Sequence, residues 1–147
     1  MTKRNLRKIS WLLLLPGFLA CATMNDVIKA KEAGKGTSEV YPVNEKQAWD
    51  IAKAAFRWEG SDAIEEHRKE GYMLTSSGMN LVSYGTVMGA WIEKVDKTHS
   101  KVTAVTKRRI KTSLATTLTE KTFHKRFKQG VALVKQGKPL PEKAPNS

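Results

Sequence analysis

The stretch NEKQAWDIAKAAFRWEG, residues 44–60, contains the clearest helical pattern in the chain. Asn44 and Gln47 have the spacing of a capping box at its start, and Gly60 suits the left-handed position after its end. The apolar residues between them recur three and four positions apart, which places them on one helical face. They are Ala48, Ile51, Ala52, Ala55 and Phe56. Because alanines allow close approach, we expect this helix to pack against a sheet.

Strand-like segments lie on both sides of this helix. They are short, they contain β-branched and aromatic residues, and the turn at 69–71 predicts a hairpin. They cover 38–43, 62–68, 72–76, 81–95 and 101–110. Gly85 and Gly89 within the fourth segment indicate bulges, or a surface that a helix approaches closely.

A second helix is predicted near the C-terminal end of the sequence. Thr117 and Glu120 have the spacing of a capping box, and Gly137 followed by Pro139 ends the helical pattern. The apolar stripe consists of Phe123, Phe127, Gly130, Val131 and Val134. Residues 138–147 contain three prolines and no apolar periodicity, so we expect a disordered tail there.

The order of these elements is strand, helix, three or four strands, helix. This order predicts an α+β domain over residues 38–137, in which two helices pack on one face of an antiparallel sheet of about four strands. Hydrophobic residues make up 40% of the 147 residues, which is enough for one packed core.

Residues 1–20 have the pattern of a secretory signal peptide. Four cations precede an apolar run of about 12 residues, which Pro16 and Gly17 interrupt. The cations are Lys3, Arg4, Arg7 and Lys8. A helix that spans a bilayer needs about 20 apolar residues, so this run predicts a cleaved signal rather than a permanent span.

The stretch Phe18-Leu19-Ala20-Cys21 resembles the lipobox of bacterial prolipoproteins. Ala20 and Cys21 match the family pattern of Leu, a small residue, Gly or Ala, and Cys, whereas Phe18 and Leu19 are bulkier than the usual residues. The resemblance implies that Cys21 becomes the first mature residue and carries diacylglycerol and an N-acyl chain, which suffices for stable anchoring. The alternative is an ordinary cleavage after Ala20 without lipid.

The resemblance also implies a location in the cell envelope. Ala22 stands where an Asp usually retains Gram-negative members in the inner membrane, so we expect the periplasmic face of the outer membrane if the source is Gram-negative. Residues 21–37 predict the lipidated Cys and a tether, with a short helix over 27–32 as the alternative. The element order is similar to that of small, uncharacterised envelope lipoproteins, including those of outer-membrane assembly machinery, which supports a fold and not a function.

The chain is strongly basic, with a formal net charge of +12. Residues 1–20 contain four cations and no acid, so their removal leaves +8. This charge favours anionic partners such as lipid headgroups, lipopolysaccharide, wall polymer or nucleic acid. Export makes nucleic acid an unexpected partner, which leaves anionic lipids, wall polymer or another envelope protein. Cys21 is the only cysteine, so an intrachain disulfide is excluded.

Two groups of cations form a candidate surface for contact with anionic headgroups or wall polymer. They are Lys107, Arg108 and Arg109 at the end of the last strand, and Lys121, Lys125 and Lys128 along the last helix. Spacings of four and three residues place the helical lysines on one solvated face. An ordinary charged helix face is the alternative interpretation.

The sequence contains no catalytic, cofactor-binding or metal-binding motif that we recognise. No ligand residues stand at metal-binding spacing from His67, His99 or His124, which favours surface histidines. No Walker loop, dinucleotide fingerprint or nucleophile elbow occurs. We therefore expect that the protein is not an enzyme and that it binds no cofactor. A set of aromatic residues could line a ligand groove between helix and sheet, although core packing explains them more simply; they are Trp49, Trp58, Tyr72, Tyr84 and Trp91.

These observations lead to two hypotheses, beside a third that the domain is an uncharacterised enzyme, which clustered carboxylate, histidine or serine side chains in a cleft would support. The first is a membrane-anchored envelope lipoprotein that acts as a non-enzymatic interaction or scaffolding module. The alternative is a small-ligand or lipid-binding domain that uses the helix–sheet interface. An apolar cavity between the strand of Gly85 and Gly89 and the alanine-rich helix would favour the alternative, and a filled core would favour the first.

Overall fold

The computed structural model describes residues 22–77, 85–108 and 118–145, apart from the side chains of Asp62 and Ser77. The expected signal peptide and Cys21 lie outside the described residues. The helices are α1 (Met24–Glu32), α2 (Glu45–Trp58) and α3 (Glu120–Lys135). The strands are β1 (Thr37–Tyr41), β2 (Ser61–His67), β3 (Tyr72–Ser77), β4 (Thr86–Lys94) and β5 (Ser100–Arg108).

The strands form one antiparallel sheet in the order β1-β5-β4-β3-β2. Strands β2 to β5 follow one another as a meander, and β1 pairs with the distant β5, with Thr37 opposite Ala104 and Tyr41 opposite Ser100. The predicted α+β class with an antiparallel sheet is confirmed. The sheet has five strands where about four were expected, and the described chain contains three helices instead of two.

Helix α2 forms as its capping and apolar patterns predict. The N–H of Gln47 donates to Oδ1 of Asn44 at 2.9 Å, and the N–H of Asn44 donates to Oε1 of Gln47 at 3.1 Å. Gly60 follows the helix with a φ of +79°, a conformation that glycine adopts without strain. The whole predicted apolar stripe is buried, which confirms the helix predicted for residues 44–60.

Helix α3 begins at Glu120, and its cap is Thr119 rather than the predicted Thr117, which lies outside the described residues. The N–H of Thr122 donates to Oγ1 of Thr119 at 3.1 Å. The buried residues of the helix are Phe123, His124, Phe127, Gly130 and Val131, and Val134 is partly buried against the main core. The apolar stripe is therefore confirmed, with one histidine added to it.

Helices α2 and α3 pack side by side on one face of the sheet, which we call the main face. Large, fully buried side chains fill the space between these helices and the strands; among them are Ile51, Phe56, Met73, Met88, Phe123 and Phe127. The helices approach closely at Gly130, where a Cβ would lie 2.7 Å from Cγ2 of Ile51. The main face is thus closed by interlocking side chains.

The expected tether is wrong for Met24–Glu32, because these residues form α1. The short helix considered for 27–32 exists and begins three residues earlier. Its buried residues, Val27 and Ala30, pack on the side of the sheet opposite α2 and α3, which we call the α1 face. The strand residues under the helix are Leu74, Val87 and Val105.

Gly89 lies on the α1 face and is covered by an aromatic ring. A Cβ at Gly89 would lie 2.5 Å from Cζ3 of Trp91 and 3.0 Å from Cδ2 of Leu74. Pairing continues through Gly89 on both sides without a register shift. The strand therefore has no bulge at Gly89. The glycine does mark a close approach, but the approaching group is the ring of Trp91 and not a helix.

The expectation of a disordered tail over 138–147 is wrong for its first part. Leu140 packs against the main core, and Nε1 of Trp58 donates to the carbonyl oxygen of Pro141 at 2.9 Å. The packed part of the chain therefore extends beyond 38–137 at both ends.

Candidate functional site

The sheet has two ends, and they differ in what lies beside them. At one end Thr86 of β4 lies opposite Arg108 of β5, and at the far end Lys94 lies opposite Ser100. We call the first of these the anchor end, because α1 and the start of the described chain lie beside it, one residue after Cys21.

The direction of α1 follows from the charged residues at its two ends. The charge of Lys107, near the end of β5, contributes to the lowered pKa of Asp26 in the first turn. Lys31, in the last turn, has its Nζ 3.6 Å from Oε1 of Glu93, near the far end of β4. The helix therefore starts at the anchor end and runs towards the far end.

The first residues of the described chain are held in place. Ala22 and Met24 pack against the apolar cluster beneath α1. The N–H and Oγ1 of Thr23 donate to Oδ2 of Asp26 at 2.7 and 2.9 Å. These hydrogen bonds, assisted by Lys29 and Lys107, hold the pKa of Asp26 below its usual value. The described chain is thus packed and hydrogen-bonded from Ala22 and Thr23 onwards.

Helix α3 also begins near the anchor end. Oε1 of Glu120 accepts from the N–H of Thr106 at 3.1 Å, and its Oε2 accepts from Oγ1 of Thr37 at 2.6 Å. Glu120 therefore occupies the edge of β5 beyond the point where β1 stops pairing. Lys121, the next residue, is exposed.

The structure divides the predicted cations between the two faces of the sheet. Lys107 lies opposite Val87 and shares the α1 face with it. The three predicted lysines of α3 are exposed on the helix that covers the main face. Arg108 is exposed at the end of β5, and Arg109 lies outside the described residues. Lys107 and Arg108 lie at the end of the sheet where α3 begins with Glu120 and Lys121.

Lys128 is already paired within the protein. Its Nζ lies 2.9 Å from Oε2 of Glu39, and this contact is the main reason why the pKa of Glu39 lies below its usual value. Lys128 therefore ties α3 to β1, in addition to any contact with a partner. Lys121 and Lys125 point to solvent on the same helix.

His124 is buried, so the expectation of a surface histidine is wrong for this residue. Its Nε2 lies 2.9 Å from the carbonyl oxygen of Thr37, which can only accept, so Nε2 carries the proton. In the neutral ring with this tautomer, Nδ1 accepts from the hydroxyl of Tyr41, 2.8 Å away. Burial raises the pKa of Tyr41 well above its usual value, so the hydroxyl remains a donor. The sequence signal was available, since residue 124 stands three positions before Phe127 on the buried stripe.

The other two histidines lie at the surface beside carboxylates. Nε2 of His67 lies 2.7 Å from Oε1 of Glu65, which shares its side of β2 as the strand alternation predicts. Nδ1 of His99 lies 3.0 Å from Oδ2 of Asp96. Neither pair is joined by a third ligand: within 22–77, 85–108 and 118–145, no three His, Cys, Asp or Glu side chains are grouped to hold a metal ion.

A shallow groove runs along the outer edge of α2. Two adjoining pockets of about 220 and 200 Å³ share Lys53 and Arg57 as lining residues. Lys53 is bonded to Glu66, which also accepts from Nε1 of Trp49 at 2.7 Å. These bonds hold the pKa of Glu66 below its usual value. Both pockets are smaller than the 300–1,000 Å³ that is typical of ligand sites.

The aromatic residues considered for a ligand groove do not converge on one site. Trp49 and Trp58 are buried beside the main core, on α2. Tyr72 and Trp91 stack on each other on the α1 face, with ring centroids 5.6 Å apart. Tyr84 lies outside the described residues. The four described rings are therefore used in packing on both sides of the sheet.

No family model matches the chain, and the curated proteins give no match either. None of the helices in the described parts of the chain is long and apolar enough to cross a membrane.

Proposed function

We propose that this chain is a bacterial envelope lipoprotein, anchored through lipid on Cys21, whose α+β domain is a non-enzymatic interaction or scaffolding module. The cationic start, the short apolar run and Phe18-Leu19-Ala20-Cys21 support the anchor. Ala22 in place of Asp supports the periplasmic face of the outer membrane, if the source is Gram-negative.

One structural observation supports an interaction module over a ligand-binding domain, namely that the main core is filled. The side chains between α2, α3 and the sheet are fully buried, Phe56 and Met88 among them. A small ligand at this interface would have to displace them, at a cost of several kcal/mol for side chains of this size. A partner therefore meets the outer surface of the domain rather than its interior.

The anchor is tested by the intact mass of the protein extracted from membranes, beside a Cys21→Ala variant. We expect a mature mass that starts at Cys21 and includes the diacylglycerol and acyl chains, and we expect its loss in the variant. A mass that corresponds to cleavage after Ala20 without lipid, or to the unmodified full chain, would overturn the proposal.

The nature of the domain is tested by native mass spectrometry of the same detergent-extracted protein. We expect one species whose mass equals that of the lipidated chain. A second species carrying one further lipid or small molecule, held without a covalent bond, would favour the alternative of a small-ligand or lipid-binding domain.

A further inference from the structure

The link between the proposed lipid and the folded domain has almost no length. Adjacent Cα atoms are about 3.8 Å apart, so the Cα of Cys21 lies one such step from that of Ala22. Ala22 is packed, and Thr23 is bonded to Asp26. The domain therefore cannot move away from an acylated Cys21 without unfolding the start of α1.

This geometry fixes which part of the domain meets the bilayer. The acyl chains of Cys21 lie in the membrane, so the region around Ala22 must lie at the headgroups. We infer that the lipidated protein rests on its own membrane through the anchor end, with Lys107, Arg108 and Lys121 at the anionic headgroups. This inference rests on the proposed lipid at Cys21 and adds an orientation and a contact surface to it.

The charges at the anchor end suit this contact. Three acids near this end are bonded within the protein: Asp26 accepts from Thr23, Glu120 accepts from Thr37 and Thr106, and Glu59 at the end of α2 accepts from Arg126. Asp62 of β2 also lies at this end, because Ser61 pairs with Ser77 and Ser77 pairs with Thr86. Lys121 is exposed beside them, and Lys107 stands next to α1. At the far end Lys101 is paired with Glu93 at 3.0 Å, and Lys94 and Lys97 are exposed.

The contact also limits what the protein can reach. A flexible tether of 17 residues at 21–37 would allow the domain to search a volume above the membrane. With α1 folded and packed, the domain stays at the membrane surface. Protein partners therefore bind at the same surface, over the far end and the sides of the domain.

The orientation is tested on the lipidated full protein with a fluorescent probe on one introduced cysteine. Asn25→Cys places the probe at the anchor end, and Lys97→Cys places it in the exposed turn between β4 and β5. The two positions are separated by roughly the length of β5, about 25–30 Å at about 3.3 Å per residue. A lipidated Cys21 has no free thiol, so the wild-type chain is the labelling control.

The labelled proteins are placed in phosphatidylcholine and phosphatidylglycerol vesicles that contain a lipid with a nitroxide on its headgroup. We expect strong quenching of the probe at residue 25 and weak quenching at residue 97. Equal quenching at both positions, in protein whose mass shows the lipid, would overturn the orientation and leave the anchor intact. A mass without lipid would overturn the anchor and the orientation together.

The role of the cations is tested by a matched pair of double variants in the residue-97 probe, because the probe at residue 25 stays close to the lipid in every orientation. Lys107→Gln with Lys121→Gln removes two charges at the anchor end, and Lys94→Gln with Lys135→Gln removes two elsewhere. Each cation at an anionic surface changes the occupancy of the docked orientation about fivefold, so we expect the first pair to let the domain tilt and to increase quenching at residue 97 at low salt. Equal effects of the two pairs would overturn the role of Lys107 and Lys121.

Discussion

The two faces of the sheet are covered in very different ways. The main face carries α2, of 14 residues, and α3, of 16, which bury large aromatic side chains. The α1 face carries one helix of 9 residues, which buries Val27 and Ala30. Because stabilisation scales with the apolar area buried, the main face supplies most of the stability and α1 is the first helix to open. The helix that opens most readily is thus the one next to the proposed anchor.

The largest effect is expected from a truncation in the main core. Phe123 is fully buried, with its ring centroid 5.0 Å from that of Phe56. Phe123→Ala should lower the free energy of unfolding by about 3–5 kcal/mol, because it removes buried apolar surface and leaves a cavity. Urea unfolding of the chain from Ala22 onwards, followed by circular dichroism, measures this loss. The exposed Lys125→Ala on the same helix is the control and should change stability by less than about 0.5 kcal/mol.

A smaller and more local effect is expected on the α1 face. Val27→Ala removes two fully buried methyl groups, which corresponds to about 1.6 kcal/mol. Hydrogen exchange should show faster exchange of the α1 amides while the amides of α2 and α3 keep their protection. Asn25→Ala, at an exposed position of the same helix, is the control. Equal exchange in α1 and α2 of the Val27 variant would show that the two faces unfold as one unit.

The helices of the main face were predictable because their signals are local. Asn44 and Gln47 cap α2 as their spacing indicates, and the stripe of α2 extends over about two and a half turns, from Ala48 to Phe56. The cap of α3 was placed two residues early, since Thr117 and Thr119 both precede Glu120 and several threonines can fill the capping position. Local patterns thus predicted both helices, but they did not determine the first residue of α3.

The α1 face was not predictable, because its signals are weak or distant. α1 has two buried residues within a segment of Lys, Asn and Glu, and that composition resembles a tether. These two residues pack against Leu74, Val87 and Val105, which are far away in the sequence. The helical stripe of α3 does indicate burial of His124, but its hydrogen-bond partners Tyr41 and Thr37 are 83 and 87 residues away. Tertiary contacts of this kind leave no periodic pattern in the sequence.

The candidate contact surface was predictable in composition and not in arrangement. The lysines of α3 were correctly placed on one exposed face, because helical spacing determines it. Lys107 points to the other side of the sheet, since the alternation of β5 places it with Val87 and Val105. Lys107 and Lys121 lie at the same end of the sheet because of the fold topology, which the sequence pattern does not reveal.

The smallest effect is the loss of stability that we expect at low pH. It is compared for one carboxylate on each face of the sheet. Glu66 is bonded to Lys53 and Trp49 beside α2, and Glu93 to Lys101 and Lys31 beside α1; these bonds hold both pKa values below the usual 4.5. Each therefore contributes stability that is present above pH 4.5 and is lost as the pH falls through the lowered pKa. Both side chains are partly exposed, so each contribution is below about 1 kcal/mol.

Glu66→Gln and Glu93→Gln separate these two contributions, because Gln resembles the protonated acid. Each variant should have a lower Tm than the wild type at neutral pH, and the difference should disappear as the pH falls through the lowered pKa of the carboxyl group. The side chain of Glu66 is 28% exposed and that of Glu93 is 47% exposed, so solvent screens Glu93 more and its difference should be smaller. A larger pH-dependent difference in Tm for Glu93→Gln than for Glu66→Gln would contradict this prediction. It would show that the stronger ionic contribution lies on the α1 face.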